Sequence, residues 1–444
     1  MTYQTDKNTA TALYDLITGD EDARVCKDIP EESCKHQPAN FLLHLATNFF
    51  TKLADELASA RLVFPWVLAL LGAPMLLIGL AVPIREAGVL LPQLFIAAKI
   101  REKPVRKYVW MFGGILSALA LWACALALIM DAGPQVASTV VFVALLVFSL
   151  ARGICSVAAK DVLGKTVSKS RRGTLMGTAT TISGVFTLLL GLNLGFYNTI
   201  QANALVLAAL LAGAGFCWLL GSLCIANMRE EPGATEGGGN AGVVALQSLH
   251  LLISDAPFRN FVICRTLLLS VSLGIPMVVV LAQANTNATG LIGLLLLMAG
   301  LANTVSGYVW GRLADVSSRL VMGCASALNA LTIVAMMILL EHFTLADELM
   351  LYAGVYFVLS VCLAGVRLGR KTLLVDMATP EKRSAYVAVS NTIIGGLILL
   401  VGAAVALLSQ QDVQVMLWAF AAMAALAAVL CPWVLPSQQA GTSA

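Results

Sequence analysis

Long apolar runs separated by short polar segments fill the chain from residue 62 to residue 431. A hydrocarbon layer about 30 Å thick needs about 20 apolar residues per spanning helix. Breaking the runs at charged residues, proline and glycine gives twelve candidate spans: 62–83, 86–101, 107–130, 136–157, 173–195, 203–228, 259–283, 288–310, 319–340, 347–368, 384–408 and 413–431. The pattern predicts an all-α polytopic membrane protein with twelve transmembrane helices.

The segment at about 41–60 has a different pattern. Its apolar residues recur at helical spacing on one face: Leu42, Leu45, Phe49, Leu53 and Leu57. Lys52, Asp55 and Glu56 fall within five positions, and each charge at the centre of a span would cost roughly 2.5–3.5 kcal/mol. We therefore expect an amphipathic helix at the membrane surface, or a cytoplasmic helix packed on the bundle, within an N-terminal extension of residues 1–61.

Basic residues occur in alternate loops, and only Arg85 breaks this pattern. The loops after the second, fourth, eighth and tenth spans are rich in lysine and arginine, whereas 131–135, 196–202, 284–287, 341–346 and 409–412 contain neither. Because cytoplasmic loops carry the excess of lysine and arginine, we expect both termini in the cytoplasm. The expected location is the plasma membrane, as a multi-pass bacterial inner-membrane protein.

The composition excludes a soluble protein. Of 444 residues, 59% are hydrophobic and 12% are charged, and the mean hydropathy is +0.85, whereas soluble domains carry about 25% charged residues. The net charge of +3 does not indicate nucleic acid binding. Cys26, Cys34 and His36 lie close together, but their spacing fits no standard zinc pattern, so we expect no metal site.

The chain contains an internal duplication. A glycine-rich linker at 229–258 separates a half at 62–228 from a half at 259–435, and a tail follows at 436–444. Lys160 and Lys371, Arg172 and Arg383, and Gly184 and Gly395 match at a constant offset of 211 residues. Two six-helix halves related by parallel duplication are one of the arrangements found in transporters.

The loop after the eighth span carries a family resemblance. It reads GRLADVSSR from Gly311 to Arg319 and resembles the G-x-L-A-D-R-x-G-R-R loop of the major facilitator superfamily, which occurs between helices two and three and again between eight and nine. In the first half, Ala98 stands at the glycine position and Glu102 at the aspartate position. The resemblance covers residues 62–431 and implies two pseudo-symmetric halves that transport a solute.

The resemblance also implies a cytoplasmic gate. The residues carried over by position are Glu102, Arg106, Lys107, Gly311, Arg312, Asp315 and Arg319. In such families this loop helps to close the cytoplasmic side in the outward-facing state. The alternative is that the basic residues only satisfy the charge bias between loops.

Ionisable residues inside spans are costly and suggest function. Arg152 and Arg265 lie within predicted spans, and Ser156 follows Arg152 by one helical turn. Guanidinium groups bind carboxylate or phosphate in a bidentate manner, so these residues are candidates for binding an anionic substrate. The alternative is that the arginines extend to lipid headgroups, which is our interpretation of Arg367.

Glu86 is the candidate for proton coupling, because we identify no other acidic residue within a span and far from the cytoplasmic face. Arg85 is adjacent and would oppose protonation if it faced the same side. The alternative is an ion pair of Glu86 and Arg85 at the mouth of the pore.

These features predict a secondary active transporter that moves an organic anion or amphipathic metabolite by alternating access, with proton coupling implied by the resemblance. The expected partners are a small-molecule substrate, protons and membrane lipids, and we expect a monomer that binds no nucleic acid. A drug or metabolite efflux antiporter and a non-transporting assembly factor or receptor are the alternatives. No nucleophile–base constellation is visible in the sequence, so we predict neither an enzyme nor a cofactor.

Overall fold

A computed structural model describes residues 9–18, 34–130, 133–196, 203–232, 250–286, 290–342, 348–377, 383–408 and 413–436. The regular elements of these residues are helices. In the first half they are α1 (Thr9–Thr18), α2 (Gln37–Leu57), α3 (Val63–Leu70), α4 (Met75–Leu90), α5 (Gln93–Arg101), α6 (Lys107–Ile129), α7 (Pro134–Thr166), α8 (Lys169–Phe196) and α9 (Ala204–Asn227). In the second half they are α10 (Leu251–Ser254), α11 (Ala256–Leu267), α12 (Leu269–Asn285), α13 (Leu291–Val316), α14 (Ser318–His342), α15 (Glu348–Asp376), α16 (Arg383–Leu408) and α17 (Val413–Val434).

The helices give twelve membrane-crossing positions. Among the described residues, ten stretches are long and apolar enough to cross a membrane, and α16 adds a shorter apolar stretch, Val389–Ala404. The pair α2 and α3 occupies the remaining position. The all-α architecture with twelve spans is therefore confirmed, and the chain is a multi-pass membrane protein.

The first two spans differ from the prediction. The predicted first span, 62–83, is divided by a turn between α3 and α4, where Gly72 has a φ of +65° and Pro74 precedes α4. The first crossing is instead α2 followed by α3, and the second is α4 followed by α5. Residues 62–101 are too few for two spans. The helix at 41–60, which was predicted to lie at the membrane surface, forms most of the first crossing.

The surface-helix interpretation of 41–60 is corrected by the packing of α2. This helix lies against α8 and α9, and Phe41, His44 and Thr47 are fully buried. Its charged residues face other helices of the bundle, and Asp55 pairs there with Arg85 and Arg152, so the cost of exposing that charge to lipid does not apply. The helix ends at Leu57, and the N–H groups of Leu62, Val63 and Phe64 then converge on the carbonyl oxygen of Ser59.

The duplication extends through every crossing. Shifting the first half by 211 residues places α2 with α3 on α11 with α12, and α4 with α5 on α13. The same shift places α6, α7, α8 and α9 on α14, α15, α16 and α17. It also relates the two main contacts between the halves, because α4 packs on α16 and α13 packs on α8.

Glycine permits close approach at both of these contacts. A Cβ atom on Gly191 of α8 would lie 2.7 Å from the Cα atom of Leu297 of α13. A Cβ atom on Gly395 of α16 would lie 2.9 Å from the Cγ atom of Leu91, next to α4. Such distances exclude a larger residue unless the helices separate.

Polar side chains connect the helix ends on one face of the bundle. We call this the terminal face; it is the face at which α2 and α6 begin and α7 and α9 end. Here the buried carboxylate of Glu230 accepts the N–H groups of Arg106 and Lys107 and pairs with the Lys165 Nζ atom at 2.7 Å. In the second half, Asp255 caps α11 through the N–H of Phe258 and accepts the Tyr386 hydroxyl. Burial, together with this hydrogen bond, raises the pKa of Tyr386 to about 12.

Candidate functional site

Charged side chains meet where the break between α2 and α3 faces α4, α12 and α15. They form two groups, one within the first half and one between the halves. Buried charges are costly unless they are paired. The ion pairs within each cluster therefore show which charges are neutralised by the protein itself.

The first group, which we call the Asp55 network, consists of Asp55, Arg85 and Arg152. Arg152 binds both oxygens of Asp55, with its Nη2 atom 2.7 Å from one of them, and Arg85 donates to Asp55 at 3.3 Å. The Arg85 guanidinium lies 4.8 Å from the centre of the Phe148 ring, and the Arg152 guanidinium lies 5.2 Å from that of Trp218. The network joins α2, α4 and α7 within one half.

The second group, the central triad, consists of Arg61, Glu86 and Arg367. Arg61 pairs with Glu86, and Arg367 of α15 donates to the same carboxylate oxygen at 3.4 Å. Arg61 also donates to the Ser272 hydroxyl of α12 at 3.2 Å. Arg61 and Ser272 are equivalent positions under the 211-residue shift, so this contact lies close to the pseudo-symmetry axis. The triad therefore connects the two halves at the centre of the bundle.

A cavity of about 300 Å³ adjoins the triad. Its charged lining residues are Glu56, Arg61, Arg367 and Lys371, and its neutral polar lining residues are Ser59, Asn303, Tyr356 and Ser360. This volume is at the lower end of the range for small-molecule sites. Both halves contribute to the lining, and substrate sites at the interface of two repeats are typical of transporters built from duplicated halves.

A narrower cavity of about 20 Å³ continues from the same triad. It is lined by Arg61, Glu86 and Arg367 together with Arg265 and Arg370. Arg265 is 5% exposed and donates to the neutral side chains of Ser390 and Asn391, while its Nε atom is buried without a hydrogen-bond partner. Four guanidinium groups thus line this space with a single carboxylate.

Glu56 is placed differently from the other two carboxylates. It lines the larger cavity and accepts a hydrogen bond of 3.1 Å from the Asn303 amide of α13. Asp55 and Glu86 each bind two guanidinium groups, whereas the described ion pairs do not include Glu56.

The structure brings some of the predicted site residues together and separates others. Glu86 and Arg265 line the same narrow cavity. Arg152 is bound by Asp55, and neither it nor Ser156 lines the two cavities described here. Arg85 pairs with Asp55, which differs from the alternative of an ion pair between Arg85 and Glu86.

The predicted gate residues of the first half lie at the terminal face. Glu102 is exposed and pairs with Lys99 of its own turn, whereas Arg106 pairs with Asp161 at 2.9 Å. Lys107 donates to the carbonyl oxygens of Ala226 and Met228 at the end of α9.

In the second half, Arg319 donates to the Leu435 carbonyl oxygen after α17. A Cβ atom on Gly311 would meet nothing within 4 Å, so close packing does not require glycine there. The side chains of Arg312 and Asp315 lie outside the described part of the structure. The same is true of Cys26, and Cys34 is disulfide-bonded.

Sequence reasoning missed Asp55, Glu56 and Arg61, and it assigned Arg367 to the interface. The misplaced first span accounts for the three residues in 55–61, because it put them outside the bundle. Two signals could have found them: residues 62–101 are too short for two spans, and the duplication requires a counterpart for residues 256–285 near residue 45.

Solved transporter structures share this fold. The xylose transporter XylE from E. coli, in an inward-open conformation, aligns with a TM-score of 0.64 and 12% identity over 92% of this chain and 98% of that one. A D-xylose-proton symporter aligns with a TM-score of 0.66 and 14% identity, over 91% of this chain and 98% of that one. A variant of the nucleoside transporter NupG aligns with a TM-score of 0.67 and 12% identity, over 89% of this chain and 100% of that one. No curated protein sequence matches.

The sequence model described as "Major Facilitator Superfamily" matches residues 262–444. The match covers the second half of the chain and shows the resemblance of that half to this superfamily. Together with the shared fold, this match agrees with the predicted resemblance and supports a membrane transporter. Within this fold, the cavity between the halves is the candidate substrate site.

Proposed function

We propose that this protein is a secondary active transporter of the major facilitator superfamily that moves a small organic anion by alternating access of the two halves. The observation that carries the proposal is the excess of cationic groups between the halves: Arg61, Arg367 and Lys371 line the cavity together with one carboxylate, Glu56. A guanidinium group binds carboxylates and phosphates through paired hydrogen bonds. An anion would supply the negative charge that the protein itself lacks at this site.

Glu86 gives this site a mechanism for coupling. Its carboxylate holds Arg61 and Arg367, so it competes with a substrate anion for the same donors. When Glu86 takes up a proton, both guanidinium groups become available to the anion, and a proton and an anion then cross together. This proposal keeps Glu86 as the proton-coupling residue and makes Arg85 a positioning residue that orients Asp55.

The other two predicted binding residues, Arg265 and Arg152, have different roles in the proposal. Arg265 lines the narrow cavity next to Glu86 and adds positive charge to the site, and its orphaned Nε atom leaves it able to bind an anion. Arg152, bound by Asp55, acts on the site by fixing α2 against α7.

Transport by purified protein in liposomes tests the proposal. We expect an inward proton gradient to drive uptake of at least one anion from a panel of carboxylates and phosphate esters. Arg367→Gln should reduce uptake at least about tenfold, because it removes a charged hydrogen-bond donor. Arg259→Gln is the matched control, since Arg259 is exposed on α11. Uptake confined to cations would contradict the proposal and favour an efflux antiporter.

Glu86→Gln tests the coupling separately. We expect this variant to exchange labelled for unlabelled anion at equal pH on both sides, but not to accumulate it along a proton gradient. Accumulation at the unmodified rate would contradict the role of Glu86. A protein that binds anions but moves none in either assay would favour the non-transporting alternative.

We also propose that the terminal face lies in the cytoplasm of a bacterial cell, with the chain in the inner membrane. Support comes from the lysine and arginine residues of its loops, such as Lys103 and Lys165. Single cysteines at position 103 and at exposed Gln135 on the opposite face test the orientation. An impermeant maleimide applied to whole cells should label only position 135, and labelling of position 103 alone would reverse the assignment.

A further inference from the structure

The larger cavity contains more than an anion site. Its neutral hydrogen-bonding groups are Ser59, Asn303, Tyr356 and Ser360, and both halves supply them. Each of these groups can donate or accept a hydrogen bond. The lining therefore suits a ligand that carries several hydrogen-bonding groups beside its charged group.

Glu56 defines what those groups are. Asn303 donates to its Oε1 atom at 3.1 Å, and a carboxylate can accept several further hydrogen bonds. A ligand that faces Glu56 must therefore be a donor. Hydroxyl and ammonium groups are the two chemical classes that could fill this role.

The surrounding charges favour a hydroxyl group. Arg61 precedes α3, and Arg367 and Lys371 lie on α15, so three cations line the same cavity as the one carboxylate. Asn303 of α13 and Tyr356 of α15 are the neutral groups beside Glu56, and Asp55 is its neighbour on α2, where two arginines bind it. An ammonium group would enter a site that is already positively charged, whereas a hydroxyl group carries no charge.

We infer that the substrate is a hydroxylated organic anion of the sugar-acid or polyhydroxy-acid class. Its anionic group lies at Arg61, Arg367 and Lys371, and its hydroxyl groups donate to Glu56 and bond with Ser59, Asn303 and Ser360. This inference rests on the proposed function and makes it more specific. It assigns to Glu56 and Asn303, from opposite halves, the selection of hydroxylated over plain anions.

Binding of matched probes to the purified full-length protein tests the inference. Gluconate carries both features, hexanoate has the same carbon number without hydroxyl groups, sorbitol has the hydroxyl groups without the charge, and 6-aminohexanoate adds an ammonium group. We expect gluconate to bind at least about tenfold more tightly than the other three, as the loss of one or two hydrogen bonds to charged groups predicts. Isothermal titration calorimetry measures each dissociation constant.

Substitutions distinguish binding of the hydroxyl groups from binding of the anionic group. Glu56→Gln keeps the size of the side chain and should weaken gluconate by about tenfold while leaving hexanoate within twofold. Asn303→Ala should act in the same direction. Glu341→Gln and Asn227→Ala are the matched controls, because both residues are exposed at helix ends, and neither should change any dissociation constant.

Each outcome has one meaning. Equal binding of gluconate and hexanoate would overturn the inference and leave the anion transporter standing. Equal binding of gluconate and sorbitol would overturn the proposed function itself. Tighter binding of 6-aminohexanoate would show that Glu56 serves an ammonium group, and failure of gluconate to bind would also overturn the inference.

Discussion

At the scale of single residues, Glu230 is the most deeply buried acidic group of the terminal face. Its side chain is fully buried and accepts two backbone N–H groups and the Lys165 ammonium. We expect Glu230→Gln to lower the free energy of unfolding by about 3 kcal/mol, because Lys165 and the two N–H groups lose their charged partner. Thermal unfolding in detergent measures the loss. The neighbouring Glu231→Gln is the control, and an equal effect of both variants would contradict the assignment.

The Asp55 network is also a residue-scale feature, and its members are coupled. Asp55→Asn removes the carboxylate that two guanidinium groups share, so we expect it to destabilise the protein by roughly 3–5 kcal/mol. Arg152→Gln should cost less once Asp55→Asn is present, since the pair is already broken. A double-mutant cycle on thermal stability checks this. Additive effects of the two substitutions would show that the ion pair contributes nothing.

At the scale of helices, the contact between α8 and α13 depends on Gly191. We expect Gly191→Ala to destabilise the protein by about 1–3 kcal/mol, because its Cβ atom would collide with the backbone of Leu297. Gly177 lies on the same helix, and a Cβ atom there would meet nothing within 4 Å. Gly177→Ala should therefore be neutral or slightly stabilising. Melting temperatures of the two variants in the same detergent compare them directly, and equal shifts would contradict the packing argument.

The start of α11 offers a second test of an element. Asp255 accepts the N–H of Phe258 as a helix cap, and caps of this kind contribute about 1 kcal/mol. We expect Asp255→Ala to lower the melting temperature, with Asp255→Asn retaining most of the stability because asparagine caps nearly as well. If Asp255→Asn lowered the melting temperature as much as Asp255→Ala, the cap would not be the source of the stability.

At the scale of the whole molecule, the sequence predicted ten of the twelve crossings correctly, from residue 107 onward. Each of these is a long apolar run, and lipid-facing helices need such runs. The first crossing failed this criterion because Lys52, Asp55 and Glu56 face other side chains in the bundle instead of lipid. The arginines of the candidate site were only partly predictable for the same reason. Arg265 stands alone in an apolar run, whereas Arg367 is followed by Arg370 and Lys371, which resembles the basic end of a span.

The halves should also assemble as separate chains. The main described contacts between them are those of α4 with α16, of α8 with α13, and of the central triad, and the residues that make them lie outside the 229–258 linker. We expect residues 1–240 and 241–444, when expressed together, to co-purify through a tag on one of them. Gly191→Leu should reduce the recovery of the untagged half. Equal recovery with Gly191→Leu would show that the α8–α13 contact is dispensable.

The excess of arginine over glutamate at the centre has an electrical consequence. A site that carries net positive charge senses the membrane potential when it changes sides, at about 2.3 kcal per mole of elementary charge for every 100 mV. In a cell with a negative interior, the empty carrier would be held facing inward, and a bound anion would relieve part of that bias. If the protein transports as proposed, voltage would then act mainly on the return of the unloaded protein and less on the step that carries the bound anion.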